Sequence, residues 1–295
     1  VYAFNVGPSK ISFKTSTVVH VDSVGAYSDA FGAGNTVPPY FVLGDTAYVR
    51  VVTSDPFGGT DVSASDSTIT ITDANGATVA GPVPMSVVAT TGATRTFEHE
   101  VPVPAQAPLG VWTATVTAYE GTEHTVNHTA SGSFEVRGRV TLDQVWAVGS
   151  TAGDTVQLQV TGGLDPVDGS STAPGPATEA TATAGGGDPI TLVQAFTTGS
   201  ASDYAVSMAC TRDADGATIA ITGTGLSRSI SMPLDSSATC TWTDTPSVPM
   251  TLVKLVMVKS DPVNGTINPK AIPGAVVEYQ LIFTNPAAIA IDTDT

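Results

Sequence analysis

Charge is scarce and one-sided. Only 13% of the 295 residues are charged, and 11 Lys and Arg stand against 27 Asp and Glu, a net charge of −16 with pI near 4.3. Such a surface repels phosphate backbones and anionic lipid, which argues against nucleic-acid binding and docking on a membrane through a basic patch. No apolar run approaches the roughly 20 residues of a membrane helix, so no helical membrane insertion is expected. No signal peptide is visible, and the chain starts at Val1 without Met, the pattern expected of a processed or trimmed product. Aromatics are 6% and scattered singly, unlike the lined cleft that glycoside hydrolysis uses. Stretches of period 3.6 are also missing; the Ala-rich segment Ala173–Ala184 is interrupted by Pro174 and Pro176 and reads as loop plus strand.

What is abundant is threonine, 44 copies, beside 29 Gly and 20 Pro, a composition of strands and turns. Apolar residues alternate with polar ones. In the segment from Lys10 to Val21, Ile11, Phe13, Val19 and Val21 share one face, and Trp112, Ala114, Val116 and Ala118 do so in the next clear case. This is the pattern of half-buried antiparallel strands, with turn signals between them such as Asp73-Ala-Asn-Gly76 and Asp213-Ala-Asp-Gly216. The expected fold is all-β: tandem antiparallel β-sandwiches, the last one incomplete. The segmentation reads as an N-terminal strand arm 1–20, a sandwich 21–137, a second 138–248 and a partial third 249–295. Arg137-Gly-Arg139 is expected to be a hinge and Pro246 to Pro249 a stiff linker. Gly44-Asp-Thr-Ala-Tyr, Gly153-Asp-Thr-Val-Gln and Gly274-Ala-Val-Val-Glu mark a turn entering a strand in each unit, a loose internal repeat.

Val21-Asp-Ser-Val-Gly-Ala-Tyr27, Ser54-Asp-Pro-Phe-Gly58 and Ala107-Pro-Leu-Gly-Val-Trp112 resemble the immunoglobulin-like modules of large bacterial surface proteins. Residues 141–245, with Gly153-Asp-Thr-Val156 and the Cys-Thr ends, are similar to their prealbumin-like modules. Residues 251–295 resemble the start of their conserved-repeat module, domain of unknown function eleven, through Val258-Lys-Ser-Asp-Pro-Val263 and Asn268-Pro-Lys-Ala-Ile-Pro-Gly274. The resemblance implies a stalk, coat or fibre component. It also implies that the third module is short, with three strands, Leu252–Val258, Ala275–Phe283 and Ala288–Ile291, too few to close a sandwich. Either the module is truncated or another chain completes it. The arm is then the candidate strand donor, through Ile11, Phe13, Val19 and Val21, and the acceptor is Leu252, Val256, Val277, Tyr279, Leu281 and Phe283. Such head-to-tail contacts propagate into filaments. The plainer alternative makes the arm the first hairpin of its own module.

Cys210 keeps phase with Tyr204, Val206 and Met208, and Cys240 with Ala238 and Trp242, so a buried disulfide across one module is expected. The alternative is two reduced core cysteines. Modules of the resembled kind carry Lys–Asn isopeptide bonds beside a core acid. No lysine occurs between Lys14 and Lys254, which leaves only Lys254 or Lys259 with Asn285 and Glu278, and solvated lysines at a strand edge are the favoured reading of these. His124 and His128 share a face if their strand is unbroken, but the spacing matches no metal motif, and Asp213-Ala-Asp-Gly216 lacks the closing Glu of a calcium loop. No metal and no cofactor are expected, with weak calcium binding by loop acids the residual option. No Ser sits in a Gly-x-Ser-x-Gly elbow, and Asn127-His-Thr129 and Asn264-Gly-Thr266 are sequons only in a glycosylating host.

The sequence therefore reads as a non-enzymatic extracellular or bacterial cell-surface structural protein with no catalytic residues, a filament, sheath or stalk subunit whose partners are copies of itself. Two rivals stand beside this: an adhesin binding glycan or host protein through loops Ser28–Pro39 or Gly162–Gly175, and a non-catalytic module of a secreted enzyme.

Overall fold

The computed structural model describes residues 18–121, 124–247 and 251–284. Within them every regular element is a β-strand except the 3-10 turns Gly59–Asp61 and Ala201–Asp203. The all-β expectation holds.

The first unit comprises β1 (His20–Tyr27), β2 (Phe41–Val42), β3 (Thr46–Ser54), β4 (Thr68–Thr72), β5 (Thr78–Pro84), β6 (Ser86–Thr91), β7 (Thr94–Pro102), β8 (Gly110–Tyr119) and the first half of β9 (Asn127–Trp146). One sheet runs β1-β3-β7-β6; the other runs β9-β8-β4-β5, with β2 parallel to β9. Alternation decides what meets between them. Val49, Val51 and Phe97 come from the first sheet and Ile69, Ile71, Trp112, Ala114 and Val116 from the second, all buried. The intervening threonines face outward and pair across strands, Thr115 with Ser131 and Thr117 with Thr129, each at 3.0 Å.

The arm expectation needs correction at its inner end. Val19 and Val21 are 0% and 4% exposed, and β1 pairs antiparallel with β3. They are core residues of their own unit, unable to serve as donors to another without unfolding it. Ile11 and Phe13 lie outside the described residues.

Strand β9 is 20 residues long, beyond the usual 3–10. Residues 127–136 pair with β8; from Gly138 the same strand pairs with β14 (Ala180–Ala184) and then with β19 (Ala238–Pro246). The expected hinge Arg137-Gly-Arg139 is thus the middle of a continuous strand. Its glycine answers to packing: a Cβ there would lie 2.3 Å from Met232 Cε and 3.1 Å from both Leu109 Cδ1 and the Ser236 carbonyl oxygen. Around it the units are tied by Leu109 N–H donating to the Leu234 carbonyl (2.8 Å) and by Tyr40 hydroxyl to Asp165. Gly132 is tight as well, since its Cβ position is 2.4 Å from the Val24 carbonyl oxygen on β1. Backbone cannot swing aside as a side chain does. Gly132→Val is therefore expected to cost about 1–3 kcal/mol through displacement of β1, read as a lower urea midpoint with unchanged m-value.

The second unit adds β10 (Thr155–Thr161), β11 (Leu164–Val167), β12 (Gly169–Thr172), β13 (Ala177–Thr178), β15 (Pro189–Thr198), β16 (Tyr204–Arg212), β17 (Thr222–Thr224) and β18 (Ser227–Ser231). One sheet is β13-β12-β10-β15-β18-β17; the other is β11-β14-β9-β19-β16. Most of Gly162–Gly175, expected as loop, is therefore strand. Val156, Leu158, Ile190 and Leu192 pack toward Leu142, Ala182, Cys240 and Trp242 between the layers. Cys210 and Cys240 are disulfide-bonded, with Cα atoms 4.0 Å apart. The bridge joins directly opposed residues of neighbouring strands β16 and β19 instead of crossing between sheets. Pro246 closes β19; residues 248–250 of the expected linker lie outside the described residues.

Strands β20 (Thr251–Ser260) and β21 (Val276–Thr284) form a separate two-stranded sheet. The expected third strand Ala288–Ile291 lies outside the described residues.

Candidate functional site

Long β-formers at alternate positions make β20 and β21 strands, and the loop between them is fixed by one carboxylate. Asp261 accepts from the backbone N–H groups of Val263 (2.7 Å), Asn264 (2.7 Å) and Lys270 (2.6 Å), and from the Asn264 side chain (3.2 Å). Those donors, Asn264 foremost, lower its pKa to about 2. The hairpin thus has a preformed turn before anything covers its faces.

Register assigns the faces. Lys254, Val256 and Val258 oppose Leu281, Tyr279 and Val277; Val253, Leu255 and Met257 oppose Ile282, Gln280 and Glu278. On the first face Val256 is 57% exposed, Tyr279 59% and Leu281 53%, and the second face leaves Met257 at 60%. Of the expected acceptor set, Val256, Val277, Tyr279 and Leu281 share one face; Leu252 and Phe283 pair through their backbones, and their side chains lie outside the described ones. A contiguous apolar surface this open is unusual in a settled monomer.

Of the expected isopeptide set, the two lysines and the acid lie among the described residues. Lys259 Nζ lies 2.7 Å from Glu278 Oε2 with both side chains about half exposed, where the reaction needs an apolar enclosure. Lys254 lies over the Tyr279 ring at 4.3 Å, on the face opposite Glu278. Asn285 lies outside the described residues.

His124 and His128 do not come together. His124 sits outside any strand at φ 57°, so it shares no strand face with His128. His128 stacks on His20 at 4.4 Å and accepts the Val21 N–H at Nδ1 (2.9 Å). Partial burial lowers the pKa of His99, with the Glu100 charge opposing. Among the described residues no group of three His, Cys, Asp or Glu could hold a metal ion. Ser63, Asp66 and His124 do meet, but in an order unlike a triad. Asp66 lies between, accepting the Ser63 hydroxyl (2.6 Å) and facing His124 Nε2 (3.3 Å), so the imidazole is not placed to take the serine proton. In the Asp213 turn, Asp213 accepts the Thr239 hydroxyl (2.8 Å) and Asp215 the Ala217 N–H (3.0 Å), as a turn would have it.

Two polar constructions escape the sequence reading. Arg50, 5% exposed, donates to Glu98 (2.6 Å), to the Gly34 carbonyl (2.9 Å), to Asn35 (2.7 Å) and to the Asp29 carbonyl, pinning the loop at 28–39. In the second unit Asp244 is fully buried and its Oδ2 accepts from Gln194 (2.6 Å) and Gln144 (3.0 Å). Burial raises the Asp244 pKa despite those two donors. The folded state holds a proton above pH 3.8 that the unfolded chain has released, so this group's contribution falls as pH rises through its folded value. Asp244→Asn keeps the acceptor and removes the charge. Denaturant midpoints at about pH 4 and pH 8 should show the variant gaining on the parent as pH rises.

No protein-family model and no curated protein matches the sequence. Among solved structures, the C-terminal domain of wzt is 14% identical over 41% of this chain and 74% of its own, at TM-score 0.29. BcpA, the major pilin subunit of Bacillus cereus, is 12% identical over 78% and 71%, at 0.25. The pilus 2b backbone protein of group B streptococcus is 10% identical over 78% and 98%, at 0.25. Several of the structural neighbours are thus bacterial pilin backbone proteins, and at these scores the likeness carries no functional weight.

Proposed function

We propose that the chain is a non-enzymatic structural subunit of an extracellular or cell-surface filament, sheath or stalk, and that copies associate head to tail. The observation that carries the reading is the β20–β21 hairpin, whose apolar face at Val256, Tyr279 and Leu281 is more than half exposed while the two units before it have closed cores. The occupant we assign is the N-terminal segment, residues 1–17, of a neighbouring copy. Its alternating Ile11 and Phe13 suit the open sheet, and it precedes a β1 that is already committed to its own core. Val19 and Val21 are not part of the donor. Acidic, lysine-poor surfaces keep such a subunit soluble before assembly.

Deleting residues 1–14 tests this. The truncated chain should fold, because the described cores begin at Val19, and should remain monomeric in sedimentation while the full chain associates. Association of the truncated chain equal to that of the full chain would overturn the donor assignment.

A further inference from the structure

We propose that β9 is a load-bearing spine, and that the strands by which the chain enters and leaves it, β1 and β19, both hold tension in shear. This gives the structural-subunit reading a mechanism and rests on it for its biological sense, but it is a property of a single chain.

The two neighbours run parallel to β9. At the entry β1 is laddered antiparallel to β3 and packs against β9 without pairing with it: Val21 N–H donates to His128 Nδ1 and Val24 lies against Gly132, so β1 and β9 advance in the same direction. At the exit, β19 pairs with β9 in parallel from Ala238↔Val140 to Asp244↔Trp146, seven consecutive register pairs. The chain therefore enters beside one end of β9 and leaves beside the other, about 60 Å away at a strand's rise per residue. Tension on the ends pulls β1 and β19 lengthwise along β9 in opposite senses. A ladder loaded along its length loses its bonds together, whereas one pulled open from an end loses them one at a time. Forced unfolding follows the height of that barrier.

Three further features sit on the exit ladder. Leu142, Cys240 and Trp242 are buried along it, so sliding would drag apolar side chains through a packed core. The disulfide ties β19 to β16, so the exit strand moves only with its neighbour. The two units share β9 itself, so load crosses the junction on a continuous strand with no linker to extend.

The test is single-molecule pulling of the full chain in two geometries. In the first the handles are at the two chain ends. In the second one handle moves to Val148→Cys, which adds a free thiol at a 91%-exposed loop position just past β9, and the other stays at the C-terminus. The second geometry opens the β9–β19 ladder from its Trp146–Asp244 end. The second-unit event is identified by reduction, which frees the 30-residue span between the cysteines and lengthens the release by about 100 Å. End-to-end pulling should require a force several times that of the Val148 geometry at the same loading rate. Equal forces, or a weaker end-to-end response, would overturn the proposal. Filaments missing from micrographs would remove the assembly reading and leave the force difference standing; equal forces would do the reverse.

Discussion

Arg50→Ala should destabilise the first unit by about 3–5 kcal/mol, the scale set by leaving a buried charge without its partner. Glu98 is 11% exposed and is held by Arg50 Nε at 2.6 Å while also accepting the Phe31 N–H at 2.9 Å. Loss of the guanidinium orphans that carboxylate and two loop carbonyls together. The ring faces of Tyr27 (4.3 Å) and Phe31 (5.5 Å) lose their cation at the same time. Arg50→Lys keeps the charge without the planar fork and should recover only part of the loss. Urea unfolding measures the cost, and limited proteolysis should show new cleavage between residues 28 and 39 in the Ala variant. An unchanged midpoint in Arg50→Ala would mean that the loop is held by something else.

Removing the disulfide is the second large effect. The bond closes a 30-residue span, worth about 3–4 kcal/mol of denatured-state entropy in the chain-closure model. Cys210→Ala with Cys240→Ala, measured beside reduced parent, should lower the second unit's stability by that amount and leave the first unit's transition in place. Both positions lie in a paired ladder nine residues long, so the strands should still find their register in the variant. A loss below 1 kcal/mol would mean that the β16–β19 pairing already restrains the unfolded chain.

Much of this was legible in alternation. Trp112, Ala114, Val116 and Ala118 are buried as the period of two requires, and the two cysteines point inward with their phase partners. Phase alone could not say whether the bridge runs between sheets or along one, because pairing is set by contacts far apart in sequence. The same phase held a signal left unused. Asp244 follows Ala238, Cys240 and Trp242, Gln144 follows Val140 and Leu142, and Gln194 follows Ile190 and Leu192, which places three polar side chains in the core. Arg50 was hidden differently: alternation puts it on the outer face of β3, and only the fold-over of residues 28–39 buries it. Gly138 misled because glycine between two arginines reads as a flexible link, whereas here it admits the close approach of Met232 and Leu109. The shared face of His124 and His128 depended on an unbroken strand, and His124 lies in a bend before β9 begins.

Assembly turns on whether the exposed β20–β21 surface is satisfied by another copy. Negative-stain micrographs of the purified full-length chain, taken across a concentration series alongside sedimentation velocity, measure this directly. Head-to-tail association predicts linear assemblies that lengthen with concentration and disappear when residues 1–14 are removed. Isolated particles of monomer mass at every concentration would contradict it.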